Sequence, residues 1–193
     1  AQADTWRNGL AAWGQDGERI RQLRQNVEFR VYTPGSTAGL PVSILSSFAA
    51  PPPAVLADGE LLQDQVSGTA SSLLGLLGIN ADPVRSREHI LLSNLLSRSW
   101  SAGVNLDLAG LIRLIQDPPF RQVGVMDLES FFPAKDRFDL ALQFNNLLAS
   151  PGFASWMNGE APDIGRMLYG PAGKPRIAIF SIAHLSDAER MFF

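Results

Sequence analysis

Val27-Glu28-Phe29-Arg30-Val31-Tyr32-Thr33-Pro34-Gly35 decides how the rest of this 193-residue chain is read. Val27, Phe29 and Val31 alternate with Glu28, Arg30 and Tyr32, the period-2 pattern of a strand. Thr33-Pro34-Gly35 ends it, and Ser36 to Pro41 reads as loop. A second strand pattern, Ile177 to Ile182, lies near the other end. It is nearly all apolar, which predicts burial on both faces. Between the two, almost everything reads as helix or turn. That layout is how an insertion inside an α/β sheet looks, with the two strands neighbours or near neighbours. The predicted class is therefore mainly α: a bundle-like helical insertion flanked by two or three short β-strands.

Outward from the first strand, Asp16 is placed to cap a short helix carrying Ile20 and Leu23, and Gly14 to stop an earlier one with Leu10, Ala11 and Trp13. Pro51-Pro52-Pro53 cannot continue a helix or a central strand and marks a linker. Beyond it, Leu62, Val66, Thr69, Leu73, Leu76 and Leu77 keep helical spacing up to a stop at Gly78. Asp82-Pro83 predicts an N-cap and first helical residue for a helix with Ile90, Leu91, Leu95 and Leu96, ending near Gly103. Asp107 caps the next, with Leu108, Leu111, Ile112 and Ile115 inward, and Asp117-Pro118-Pro119 ends it. Val123 to Met126 reads as a short strand. Phe131-Phe132-Pro133 leads into a long helix bearing Phe138, Leu142, Asn145 and Leu148. Pro151 to Trp156 and Asp163 to Leu168 read as short helices, and Gly170 to Gly173 as a turn. Three regions follow: 1–50, helices, strand and loop at the edge of an α/β core; 51–170, the helical insertion; and 171–193, a strand and the start of a helix. Ser186-Asp187-Ala188-Glu189 is a capping box. It announces a helix with only four residues after it, so the expected polypeptide continues past Phe193.

Composition narrows the function classes. Hydrophobic residues make up 46% and charged residues 18%, so a packed domain is expected rather than disorder. The formal charge of −3 gives no global sign of a nucleic-acid or anionic-membrane partner. Of 16 cationic residues only Lys135 and Lys174 are lysine, which fits codon bias. With no cysteine, disulfide scaffolds, thiolate metal sites and cysteine nucleophiles are excluded, which fits a cytoplasmic location. No run of apolar residues approaches the ~18 of a membrane span.

Motifs with chemical meaning are few. Gly170-Pro171-Ala172-Gly173-Lys174 is not a phosphate loop, because two residues rather than four separate the glycines and a strand follows instead of a helix. Thr33, Gly35 and Ser36 sit in a glycine-bearing loop directly after a strand, where hydroxyls and amides can line a phosphate site. A plain connector is the better reading. His89 and His184 are isolated, so metal-ligand spacing is absent and a structural role is expected for both. His184 follows a strand and can reach a ligand. Asp127, Glu129, Asp136 and Asp139 read as caps and surface charge pairs, and Arg19, Arg21, Arg24, Arg85, Arg87 and Arg98 as solvated faces. No catalytic residue and no metal ligand is assigned.

Val31-Tyr32-Thr33-Pro34-Gly35-Ser36-Thr37-Ala38-Gly39-Leu40-Pro41-Val42-Ser43, Ser86-Arg87-Glu88-His89-Ile90-Leu91-Leu92-Ser93 and Ile179 to Arg190 resemble segments of bacterial HerA/FtsK-type P-loop ATPases, in the helicase HerA-like central-domain group. The resemblance implies that this chain is the segment between the phosphate-binding loop and the acidic Walker B strand: a helical insertion flanked by strands of a RecA-like α/β core. It further implies ATP and magnesium sites in the parent and not here, with DNA engaged through the parent only. Arg190 would lie where an arginine can contact phosphate from a neighbouring subunit, although a surface arginine is the commoner case.

Two functions stand in contrast. One is a non-catalytic coupling or regulatory insertion of an ATP-driven DNA motor, partnered by the rest of that ATPase. The other is a stand-alone helical protein-interaction module, which requires a large exposed apolar patch on the helical block. A small hydrolase would need a pocket converging on His89 or His184. Strand edges left without neighbours also predict a homo-oligomer or a covered edge.

Overall fold

The computed structural model describes residues 2–43 and 48–192. The chain is mainly helical with a few short strands, as its sequence pattern indicates. Two helices open it, α1 (Gln2–Ala12) and α2 (Gly17–Asn26), the second capped by Asp16, which accepts from Arg19 N at 2.9 Å. Strand β1 (Glu28–Tyr32) follows after one residue. The helical block comprises α3 (Pro53–Leu56), α4 (Gly59–Leu76), α5 (Arg87–Ser101), α6 (Leu108–Gln116), a hairpin of β2 (Gln122–Val123) and β3 (Met126–Asp127), α7 (Leu128–Phe131), α8 (Ala134–Ala149), α9 (Ala154–Met157) and α10 (Ile164–Leu168). Strand β4 (Arg176–Phe180) and α11 (Asp187–Phe192) close the described chain; Phe193, the end of the expected last helix, lies outside it.

Helix α5 organises the block. It buries Leu91, Leu92, Leu95 and Leu96, a sector too wide for one neighbour, and is flanked by α4 and α6, while α6 packs on α8. Trp100 Nε1 donates to Phe48 O at 3.2 Å, and Phe48 pairs with Leu106, tying the segment before the proline run to the loop before α6. The resulting core runs from Phe48 to Leu185. Asp58 and Asp107 cap α4 and α6, and Gly78 and Gly103 leave α4 and α5 in the left-handed region, where a Cβ is strained.

β1 and β4 lie side by side in parallel, Glu28 opposite Arg176 through Tyr32 opposite Phe180. The expected adjacency of the two strands is thus observed. One face of the pair carries Glu28, Arg30, Tyr32, Arg176, Ala178 and Phe180. Tyr32, Val42 and Met167 of α10 form a second small core there, with Leu40 and Ala178 against it.

Four sequence expectations change. β4 is not buried on both faces: Ile177 and Ile179 are exposed, because only α10 and the Leu40 and Val42 segment pack on the pair, and they do so on the other side. Val123 to Met126 is the tip of the β2–β3 hairpin rather than one strand, with Gly124 and Val125 as its turn. Asp82 does cap, accepting from Val84 and Arg85 N, but only a single turn; Ser86 Oγ closes that turn on Asp82 N, and α5 starts afresh at Arg87. In α8 the inward stripe is Arg137, Leu140, Ala141 and Phe144, while Phe138 (54% exposed) and Leu142 (43%) face outward.

Candidate functional site

The two loops that follow β1 and β4 meet at one end of the strand pair. In parallel sheets this carboxyl end is where ligands bind. Ser181 N continues the ladder by donating to Tyr32 O at 2.9 Å. Just beyond, His184 Nε2 donates to Pro34 O at 2.9 Å, joining segments 150 residues apart in sequence. Because a carbonyl can only accept, the bond places a proton on Nε2. Four of the five candidate residues are thereby gathered in one place: Thr33, Gly35, Ser36 and His184.

The first loop closes on itself. Thr33 is buried; its Oγ1 donates to Ser36 O at 3.0 Å and accepts from Gly39 N at 2.9 Å. Ser36 Oγ accepts from Ala38 N, Ser36 N donates to Thr33 O, and Leu40 N donates to Val31 O. The amides of Ser36, Ala38, Gly39 and Leu40 are therefore engaged inside the loop rather than pointed outward as in a phosphate cradle. Gly35 has φ +67°, and a Cβ there would stand 2.7 Å from the ring of buried Trp156 in α9. Glycine is needed at this position for close packing against the helical block.

The second loop is anchored from both sides. Leu185 is buried in the main core with Ile182 against it, and α11 packs beside α4. The capping box forms: Ser186 N and Oγ both donate to Glu189 Oε2 at 2.7 Å. These bonds from Ser186, with the nearby His184, hold the Glu189 carboxyl below its ordinary range. Arg190, the fifth candidate, folds back onto its own loop, with Nε toward Ile182 O (3.4 Å), Nη2 toward Ala183 O (3.2 Å) and Nη1 toward Asp187 (3.4 Å). It borders an open hollow of about 510 Å³ with Phe180, Ser181, Ile182 and Ala183. Its guanidinium is at the mouth of the site but engaged with the loop.

His89 is elsewhere. It is 2% exposed on α5, with Nε2 between Ser71 Oγ and Ser67 O and Nδ1 beside Ser93 Oγ. Nε2 thus joins α5 to α4, while Nδ1 meets Ser93 of its own helix. The acidic group is likewise structural: Asp127 caps α7, Glu129 pairs with Arg137 and accepts from Ala134 N, and Asp136 pairs with Arg87. Arg137, first among the causes, holds the Glu129 carboxyl low. Arg87 and Arg98 lie over the rings of Phe132 and Phe120. Among the described residues there is no cluster of three or more metal-ligating side chains.

One charged assembly was not foreseen. Glu28 bridges the strands, its Oε2 accepting from Arg176 Nε at 2.8 Å and its Oε1 from Arg30 Nε at 2.6 Å. Arg176 Nη1 also donates to Arg166 O at 2.7 Å, tying α10 to the sheet. The only sequence signal is charge at alternate positions of two strands; which residues face each other depends on register, and no local pattern reveals that.

No protein-family model, curated protein or solved structure was found to match this chain. Among the described residues no helix is long and apolar enough to cross a membrane.

Proposed function

We propose that this chain is a non-catalytic coupling element of a HerA/FtsK-type ATPase: a helical block set between two parallel strands of a RecA-like sheet. On this reading it passes nucleotide state to a partner or to nucleic acid and does no chemistry itself. The observation that carries the proposal is the junction of the two loops at the carboxyl end of β1 and β4, made by His184 on Pro34. A nucleotide held at a neighbouring strand would press on these loops first. Leu185 and Gly35 connect them rigidly to the helical core, so a shift there is transmitted to the block.

Two further features support the reading. Parallel sheets are normally covered on both faces and have more than two strands, and this pair has a bare apolar face. Its edges also differ. β1 is partly closed by Leu40, which bonds Val31 O and Thr33 N at 2.9 Å, while β4 has no second strand partner among the described residues. The open edge of β4 is where the rest of the ATPase core would add its strands. ATP and magnesium would be held by that core, DNA would be met through it, and the assembly would be cytoplasmic.

The direct test is the purified chain with Mg-ATP. No hydrolysis above buffer and no saturable binding at millimolar nucleotide are expected, and turnover that follows the protein through purification would overturn the proposal. The alternative, a stand-alone interaction module, has Phe138 and Leu142 on α8 in its favour. They lie one turn apart and make a narrower face than the four apolar residues of the sheet, so that reading stands second.

A further inference from the structure

The bare face of the strand pair has a counterpart in the same molecule. Phe29 stands beside Ile177 and Val31 beside Ile179, all 39–45% exposed, forming a square of apolar side chains with no charge in it. A helix layer is what normally covers such a surface. Helices α1 and α2 bury no residue at all. Yet Trp6 and Leu10 stand at i and i+4 on α1, with Trp13 at i+7 in the turn just after it, and Ile20 and Leu23 stand at i and i+3 on α2, so the arm carries apolar stripes. Trp13 is 84% exposed. An apolar stripe without a sheet and an apolar sheet without a helix therefore occur in one chain.

We propose that the α1–α2 arm of one copy covers the Phe29–Val31–Ile177–Ile179 face of a second copy, giving a reciprocal dimer. Within one copy the arm leaves β1 through the single extended residue Val27, and Ile20 and Leu23 remain open to solvent. Helix-to-strand connections that fold a helix back over its own sheet usually take about 2–6 residues. The arm is thus directed away from its own face and available to another. Size is adequate. A buried aromatic side chain removes about 150–250 Å² from water, so the four tryptophans of two arms contribute about 600 Å² or more. With the leucine and isoleucine stripes and the two sheet faces, the total reaches the ~1,200 Å² of a stable interface. The dimer uses the face of the sheet and leaves the edge of β4 free, and it accounts for the bare face without a covering layer from an ATPase core.

The absence of cysteine makes the test clean. Chains carrying Leu10→Cys are mixed with chains carrying Ile179→Cys and oxidised, and disulfide-linked peptides are identified by mass. The expected product is a cross-linked pair with one residue of each kind, formed at least tenfold faster than in either variant alone. Light scattering at tens of micromolar should give a dimer for the native chain and a monomer for Trp6→Ala/Leu10→Ala/Trp13→Ala. Circular dichroism should show that this variant keeps its fold, since none of the three residues belongs to a core. A native chain that is monomeric, a dimer that survives the triple substitution, or cross-links only between like variants would overturn the proposal.

Discussion

In α5, Leu91, Leu92, Leu95 and Leu96 are all shut off from water, whereas in the sheet Phe29, Val31, Ile177 and Ile179 face outward. The two regions use the same kind of residue to opposite effect. The helical block is a finished core: α4 and α6 flank α5, α8 packs on α6, and even the buried Arg137 is paired with Glu129 and Phe132 O. The strand pair has one layer fewer than its side chains call for. Apolar content alone does not say whether a surface is covered; the number of layers within reach does.

The contrast is broken most forcefully in the block. Leu95→Ala should destabilise the chain by about 2–5 kcal/mol, since the cavity it leaves is enclosed on every side. Urea unfolding followed by circular dichroism measures this, and a loss under ~1 kcal/mol would mean the block is looser than it looks. Gly35→Ala comes next. The left-handed backbone and the collision with Trp156 together should cost about 1–3 kcal/mol and loosen the two-loop junction, seen as faster amide exchange at residues 33–40.

Ile179→Thr keeps the β-branch and removes apolar surface that is already half exposed. In dilute solution, where copies are separate, it should cost about 1 kcal/mol or less. A penalty that grows with protein concentration would sharpen the comparison, because the face would then be covered by a second molecule. Glu28→Gln should have the smallest effect at neutral pH. Arg176 first and Arg30 second hold the Glu28 carboxyl below its ordinary value. A carboxyl lowered in the folded state stabilises it at neutral pH, and that contribution is lost as pH falls below the ordinary glutamate value of about 4.3. The native chain should therefore lose more thermal stability between about pH 5 and 3 than the variant does. Equal slopes would show that the bridge contributes nothing.

Local patterns carried much of the fold. Asp16, Asp107 and the Ser186–Glu189 box were legible because a cap needs only neighbouring residues. The pairing of β1 with β4 was legible from the strand–block–strand layout. The stripe of α8 was not. Phe138 and Leu142 look like the inward face, while the true one contains Arg137, whose burial depends on Glu129 eight residues earlier. Asp82-Pro83 gave the right cap and the wrong helix, since Ser86 closes the turn before α5 begins. At the candidate site, Thr33, Gly35, Ser36 and His184 could be picked out from their places after strands. That His184 would meet Pro34, and that Thr33 would turn its hydroxyl inward, depends on contacts no short window contains.

Glu28 and Arg176 are partners across 148 residues. For a flexible chain, closing a loop of that length costs about 4 kcal/mol in entropy. A strand pair of five residues each recovers little of that, so the sheet cannot nucleate by itself. Once α4 to α8 have condensed, however, their packed body already holds the two ends near each other and the remaining search is short. Loop closure therefore favours an order of assembly with helices first and the ladder last. In reverse, the strand pair is the part that detaches while the leucine core is still intact.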